Sequence, residues 1–316
     1  AGANINPARP FPGLGSVGQL NYFGQSSYNS LQISVDHRPS HGLAFSANYT
    51  YAHTQGLGGG GVSGGGVGII NSPIVNYRIS LSDAAIDVRH RVSFNGSYEL
   101  PFGENRRFLN HGGALNLLVG GWNTSATFSA QTGVPFTVGI TSGNGYTNAS
   151  GSGGSAILIG DPFKAGGTPP AGHPAASCPT QVRTRKNWYN PCAFVNPSAN
   201  GATISAQSAG AFQVNGIGPV FIAGPEALKY FGGRSNQIHG PGQQRANMSL
   251  FKNFTYRTTN SLQVRADVFN LFNTPSNNSP SNTGLTANGG QITGPRSFQK
   301  DTPDSRFIQL AMKLTF

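Results

Sequence analysis

Apolar and polar residues alternate over a series of stretches along the chain, the pattern of β-strands with one face in a nonpolar phase. Between His41 and His53, Leu43, Phe45, Ala47, Tyr49 and Tyr51 share one face, and Ala44, Ser46, Asn48, Thr50 and Ala52 the other. Over Asp87–Leu100, Val88, Val92, Phe94, Tyr98 and Leu100 oppose Arg89, Arg91, Ser93, Asn95, Ser97 and Glu99. The same rule sets Leu31, Ile33 and Val35 against Gln32, Ser34 and Asp36. It also sets Trp122, Ala126 and Phe128 against Asn123, Ser125 and Ser129. Met248, Leu250 and Phe254 oppose Asn247, Ser249 and Asn253, with Phe251 interrupting the polar side, and Leu262, Val264, Ala266 and Val268 oppose Gln263, Arg265 and Asp267. In the last stretch Arg306, Ile308, Leu310, Met312, Leu314 and Phe316 oppose Phe307, Gln309, Ala311, Lys313 and Thr315.

These stretches approach the roughly 9 to 11 residues of a tilted membrane strand, not the roughly five or six usual in globular sheets. The links between them alternate in length. Arg38–His41 and Arg257–Asn260 are tight and Pro101–Gly113 moderate, whereas Thr54–Ala85, Thr132–Gln243 and Thr274–Asp304 are long and rich in Gly, Asn, Ser and Pro. Every short link falls at one end of the strands and every long link at the other, as in outer-membrane barrels. A soluble sandwich has no reason to follow that rule. The expectation is an all-β fold, an antiparallel transmembrane β-barrel segment of about seven or eight long strands. Its first strand lies within Val17–His37, and a hairpin is expected near Ala202–Val214 inside the long 132–243 extracellular loop.

Composition supports this reading. Only 10% of residues are charged, against about 25% in soluble domains, yet 37% are hydrophobic, too many for a disordered chain. The apolar run Leu115–Trp122 is far short of a membrane helix. The net charge of +11 comes mostly from scattered residues, with local groups at Arg89–Arg91, Arg106–Arg107 and Arg183–Lys186. No basic helix or aromatic-basic motif accompanies them, so nucleic acid is not an expected partner. The anionic lipid and lipopolysaccharide of an outer membrane are.

Cys178 and Cys192 are the only cysteines. Within a polar, proline-rich segment, with only His173 nearby, they read as a disulfide and not a metal site. That implies an oxidising compartment, and closing the loop contributes about 3 kcal/mol in the chain-entropy picture. The glycine spacing Gly56, Gly58, Gly61 and the run Gly61-Val62-Ser63-Gly64-Gly65 match nucleotide-binding and nucleophile patterns only by chance, because no strand–turn–helix surrounds them. No nucleophile, base and orienter converge, so neither an enzyme nor a cofactor is expected. His90 falls on the lipid or rim face. The inward set Asp87, Arg89, Arg91, Glu99, Arg265, Asp267 and Lys313 faces a hydrated lumen, where wall pairing is the plainer role and ligand contact the sharper one. Lys252, on the apolar stripe near a turn, can reach the interface along its own stem. Tyr49, Tyr51, Tyr98, Phe254, Tyr256 and Phe316 sit at strand ends as aromatic girdles do.

Several segments resemble the TonB-dependent outer-membrane receptors of the Oar-like type. They include Asn4-Ile5-Asn6-Pro7, Arg9-Pro10-Phe11-Pro12-Gly13, Ser27-Tyr28-Asn29-Ser30-Leu31-Gln32 and Asp87-Val88-Arg89-His90-Arg91. Tyr98-Glu99-Leu100-Pro101-Phe102-Gly103, Gln131-Thr132-Gly133-Val134-Pro135-Phe136, Ser249-Leu250-Phe251-Lys252-Asn253-Phe254 and Arg265-Ala266-Asp267-Val268-Phe269-Asn270-Leu271-Phe272-Asn273 continue the series. The resemblance implies a 22-stranded barrel with an N-terminal plug, of which this chain, residues 1–316, is the C-terminal third without the plug. It also implies TonB as a partner through that N-terminal region, and energised uptake of an unidentified ligand in the bacterial outer membrane. The stripe Leu310, Met312, Leu314, Phe316 resembles the terminal signal read by the barrel-assembly machinery. The alternatives are a surface adhesion or structural protein, suggested by the long loops, and a passive porin.

Overall fold

The computed structural model describes residues 25–57, 81–110, 112–139, 156–170, 173, 175–195, 236–255, 260–281, 285, 289–295 and 305–316. The expected 202–214 hairpin, Tyr256, most of the glycine run after Gly56 and the segments before Gln25 lie outside them. Among the described residues seven long strands form one antiparallel meander: β1 Ser26–Ser40, β2 Leu43–Leu57, β4 His90–Glu99, β5 Trp122–Gln131, β10 Gln243–Thr255, β11 Ser261–Phe269 and β12 Phe307–Thr315. The three-residue β3, Leu81–Asp83, pairs with the far end of β2. Among the described residues the sheet is open, with β1 and β12 at its edges.

Directly opposed residues share a face, so the register turns the sequence stripes into continuous rows. Ile33, Tyr49, Val92 and Ala130 form one apolar row, and Val35, Ala47, Phe94, Phe128 and Ala246 the next. Leu250, Ala266 and Leu310 continue the same face to the last strand. The other face carries Ser34, Asn48, Ser93, Ser129 and Arg245 in one row, and Asp36, Ser46, Asn95, Thr127 and Asn247 in another. In the long strands the only buried apolar side chains among the described residues are Ala52 and Ala246. By contrast Leu310 is 79% exposed and Met312 72%. A water-soluble sheet would have to cover such a face; a lipid bilayer would accept it as it stands.

The first hairpin turns on His41 and Gly42, both in the left-handed region at φ 51° and 79°. Two positive φ values give the two-residue loop that matches strand twist. A side chain at Gly42 would also press on Glu99 Cβ at 3.0 Å. The β4–β5 link is longer than its Pro101–Gly113 reading. The apolar run after it forms a six-residue helix, α1 Ala114–Val119, whose last carbonyls would be left open. Trp122 Nε1 donates to Leu118 O at 2.9 Å and Lys252 Nζ to Leu117 O at 2.6 Å. These side chains face each other across β5 and β10 and satisfy the helix end. Lys252 is therefore buried against α1 and does not reach outward alone.

The long connections meet at the other end in one layer with its own core. The β5–β10 ladder continues as β6 Pro135–Phe136 against β9 Ile238–His239, and β7 Ile157–Leu158 pairs with β8 Phe194–Val195. Val138, Ala156, Tyr189, Ala193, Phe194, Ile238 and Leu285 pack together, flanked by Phe136, Phe163 and Trp188. Burial pushes the Tyr189 phenol well above its usual range, so the ring stays neutral while its hydroxyl donates to Ser281 O at 3.4 Å.

Cys178 and Cys192 are joined in a disulfide, and Cys192 sits in a 3-10 turn, Pro191–Ala193, that leads into β8. His173 spans the same loop: its Nδ1 accepts from Ala175 N–H and its Nε2 donates to Pro191 O, each at 3.0 Å. Because the clamp lies wholly within the loop layer, reduction should expose 156–195 to protease while the sheet stays protected. Peptide mapping of reduced and oxidised protein tests this. Equal cleavage patterns would show that the packed core holds the layer without the disulfide.

Candidate functional site

Where the loop layer meets the sheet, the β2–β4 ladder ends at Tyr51 and His90, and the far end of β2 pairs with β3 instead. The alternation placed Asp87 and Arg89 in the strand, but β4 begins at His90. Both residues lie before it because the Asp87 carboxylate takes the Thr54 amide, a bond that a longer ladder would have used. Asp87 is fully buried. Arg89 spans two carboxylates, with Nε at 2.6 Å from Asp87 and Nη2 at 2.7 Å from Asp83.

Asp83 is also met by His53 Nε2 and His239 Nε2, each at 3.1 Å. His239 Nδ1 contacts Gly133 O at 3.0 Å, and Asn236 Nδ2 donates to the Asp83 carbonyl at 2.8 Å. Burial pushes the Asp83 carboxyl up, but hydrogen bonds from Arg89, His53 and His239 outweigh it and hold the group below its ordinary range. Asp83, Asp87 and His239 place ligand-type atoms within 4.8 Å of one another, a set able to hold a metal. The Arg89 guanidinium already lies across both carboxylates and supplies the compensating charge, so the arrangement reads as a brace joining β2, β4 and the β6–β9 extension.

The remaining inward-read residues do not converge on this cluster. Arg265 Nε binds Asp267 at 2.7 and 2.9 Å on β11, and Ser249, directly opposite on β10, donates to the same carboxylate. Glu99 pairs with Arg106 at 2.8 Å near the turns; both are about half exposed, so the pair contributes little. Arg91 lies between Thr50 and Gln131, and Lys313 beside Gln263, on the polar face. His90 lies on the apolar face, as the alternation placed it, with Nδ1 2.9 Å from the Tyr49 hydroxyl and its ring against Tyr51. Sequence reasoning missed His53, Asp83, Asn236 and His239. They come from three distant segments, and no local pattern links them.

A single-layer antiparallel meander, an apolar face open to lipid, a polar face with fixed ion pairs, and turns and loops sorted to opposite ends together define an outer-membrane β-barrel. A family model described as an outer membrane beta barrel domain matches residues 1–309. The chain belongs to that family and resides in the bacterial outer membrane. No curated protein and no solved structure matches it. In such a barrel the apolar face meets lipid and the polar face lines the interior.

Proposed function

We propose that this chain forms part of the wall and the surface loops of a TonB-dependent transporter of the Oar-like type. The observation that carries this is the ordered series of motifs from Ser27-Tyr28-Asn29 to Arg265-Ala266-Asp267. The polar face agrees with it: Ser, Thr, Asn and Gln rows, braced by the Arg265–Asp267–Ser249 group, suit a hydrated passage for a solute. Cells carrying the whole transporter should take up its ligand only with the TonB system intact, and deletion of TonB should reduce uptake to background. Uptake that persists without TonB, with steady conductance in planar bilayers, would identify a passive pore instead.

A second reading, surface adhesion, draws on the disulfide-clamped loop layer with its own packed core, which can present a fixed surface to a partner. Removing residues 132–243 would then abolish cell attachment and leave uptake intact.

A further inference from the structure

On the apolar face, at the loop end of the lipid band, a cavity of about 760 Å³ opens between the sheet and the overhanging loop layer. Its floor includes His90, Val92, Ala130 and Gln244 from apolar rows and, at the strand ends, Gln131 and Gln243 from a polar row, with Arg89 of the brace beside them. The other polar-face residues nearby, Arg91, Ser129 and Arg245, do not line it. Its roof includes Phe163, Arg183 and Trp188. A cavity on the lipid side, where the apolar rows give way to polar loops, lies at the level of the outer-leaflet headgroups.

The roof presents a fixed cation. Arg183 has a left-handed backbone at φ 59°, its amide donates to Trp188 O at 3.0 Å, and Thr184 N–H donates to Asn187 O at 3.1 Å, closing the turn. The guanidinium carbon lies 4.4 Å above the Phe163 ring. That ring meets Trp188 edge-on at 6.5 Å, and Trp188 Nε1 is anchored to His239 O at 2.8 Å. Among the described residues the Arg183 guanidinium meets no carboxylate, and Arg185 and Lys186 follow it, exposed, in the same turn. Stacking on an aromatic face leaves the in-plane N–H donors free, the geometry that grips a phosphate with two parallel bonds.

We propose that this cavity binds a phosphorylated, anionic lipid of the outer leaflet, its phosphate against Arg183 and its acyl chain along Val92 and Ala130. A transported solute would be received on the polar face, whereas the part of this floor assigned to the acyl chain, Val92 and Ala130, belongs to the lipid face. The site therefore stands apart from the proposed uptake role and rests only on the assignment of the two faces.

The test uses the full chain folded in zwitterionic detergent micelles and titrated with rough lipopolysaccharide. The chain has two tryptophans, so a Trp122→Phe background leaves Trp188 as the reporter. Saturable fluorescence change is expected. Arg183→Ala should weaken binding about tenfold, equivalent to about 1.4 kcal/mol, Arg183→Lys less, and Lys313→Ala on the opposite face not at all. Phosphatidylcholine and excess inorganic phosphate should not displace the lipid. Unchanged binding by Arg183→Ala, or an equal loss by Lys313→Ala, would overturn the site. Displacement by inorganic phosphate alone would show a soluble-anion site and overturn the lipid assignment.

Discussion

Replacing Arg89 by alanine should destabilise the junction between loop layer and sheet by about 3–5 kcal/mol, the cost of leaving a buried charge without its partner. Asp87 is fully buried, and among the described residues Arg89 is its only cationic partner; the Thr54 amide alone cannot neutralise it. Hydrogen exchange should rise first in 81–89 and 236–242, because Asp83 holds His239 and Asn236 in place. Arg89→Lys should recover only part of the loss, since one ammonium cannot span two carboxylates as the guanidinium does. Unchanged exchange in Arg89→Ala would show that the loop core, not the brace, fixes the layer.

The same junction sets a pH response. Asp83 is held below its ordinary range. Its ionised form therefore stabilises the fold fully above the unfolded carboxyl value of about 3.9, and this contribution is lost as pH falls through the lower folded value. Protection of the loop layer should decline only in acid below about pH 4. In Asp83→Asn that acid step should shrink.

The second large effect concerns the faces. Leu310→Arg should cost about 2–4 kcal/mol in a bilayer, the penalty for a cation near the midplane of the lipid face. Gln309→Arg, one residue away, should be nearly neutral because it faces the polar side opposite Asp267. Leu310 is 79% exposed in the sheet, so little protein packing is removed and the difference reports the solvent on that face. Urea unfolding in lipid vesicles measures it. Equal costs for the two substitutions would refute the assignment of faces.

Much of the wall was legible in the sequence because a strand's side chains alternate strictly, and one slip of register would move a whole stripe to the wrong phase. Leu31–Asp36, Leu43–Ala52, Val92–Glu99, Trp122–Ser129, Asn247–Phe254, Leu262–Val268 and Ile308–Thr315 all lie within the observed long strands. Strand ends were less legible. The predicted Asp87 start moved to His90 because a buried carboxylate competed with the ladder for the Thr54 amide. The β1–β2 turn fell at His41–Gly42, one step beyond its reading, where the left-handed backbone favours glycine. Lys252 looked like an interfacial lysine, but α1, six residues long and invisible to membrane-helix criteria, supplied carbonyls for it.

The sequence by itself determined the class of protein: alternating stripes of membrane length, links sorted by size, low charge and two cysteines in a loop. Those features are local, carried by periodicity and composition, and survive without knowledge of any partner segment. Tertiary structure alone decided where the chemistry gathers. His53, Asp83, Arg89 and His239 meet although His239 follows Asp83 by 156 residues. Arg183 reaches the lipid-side cavity only because the loop layer folds over β4 and β5. Such contacts depend on how long loops close and pack, and spacing along the chain carries no record of it.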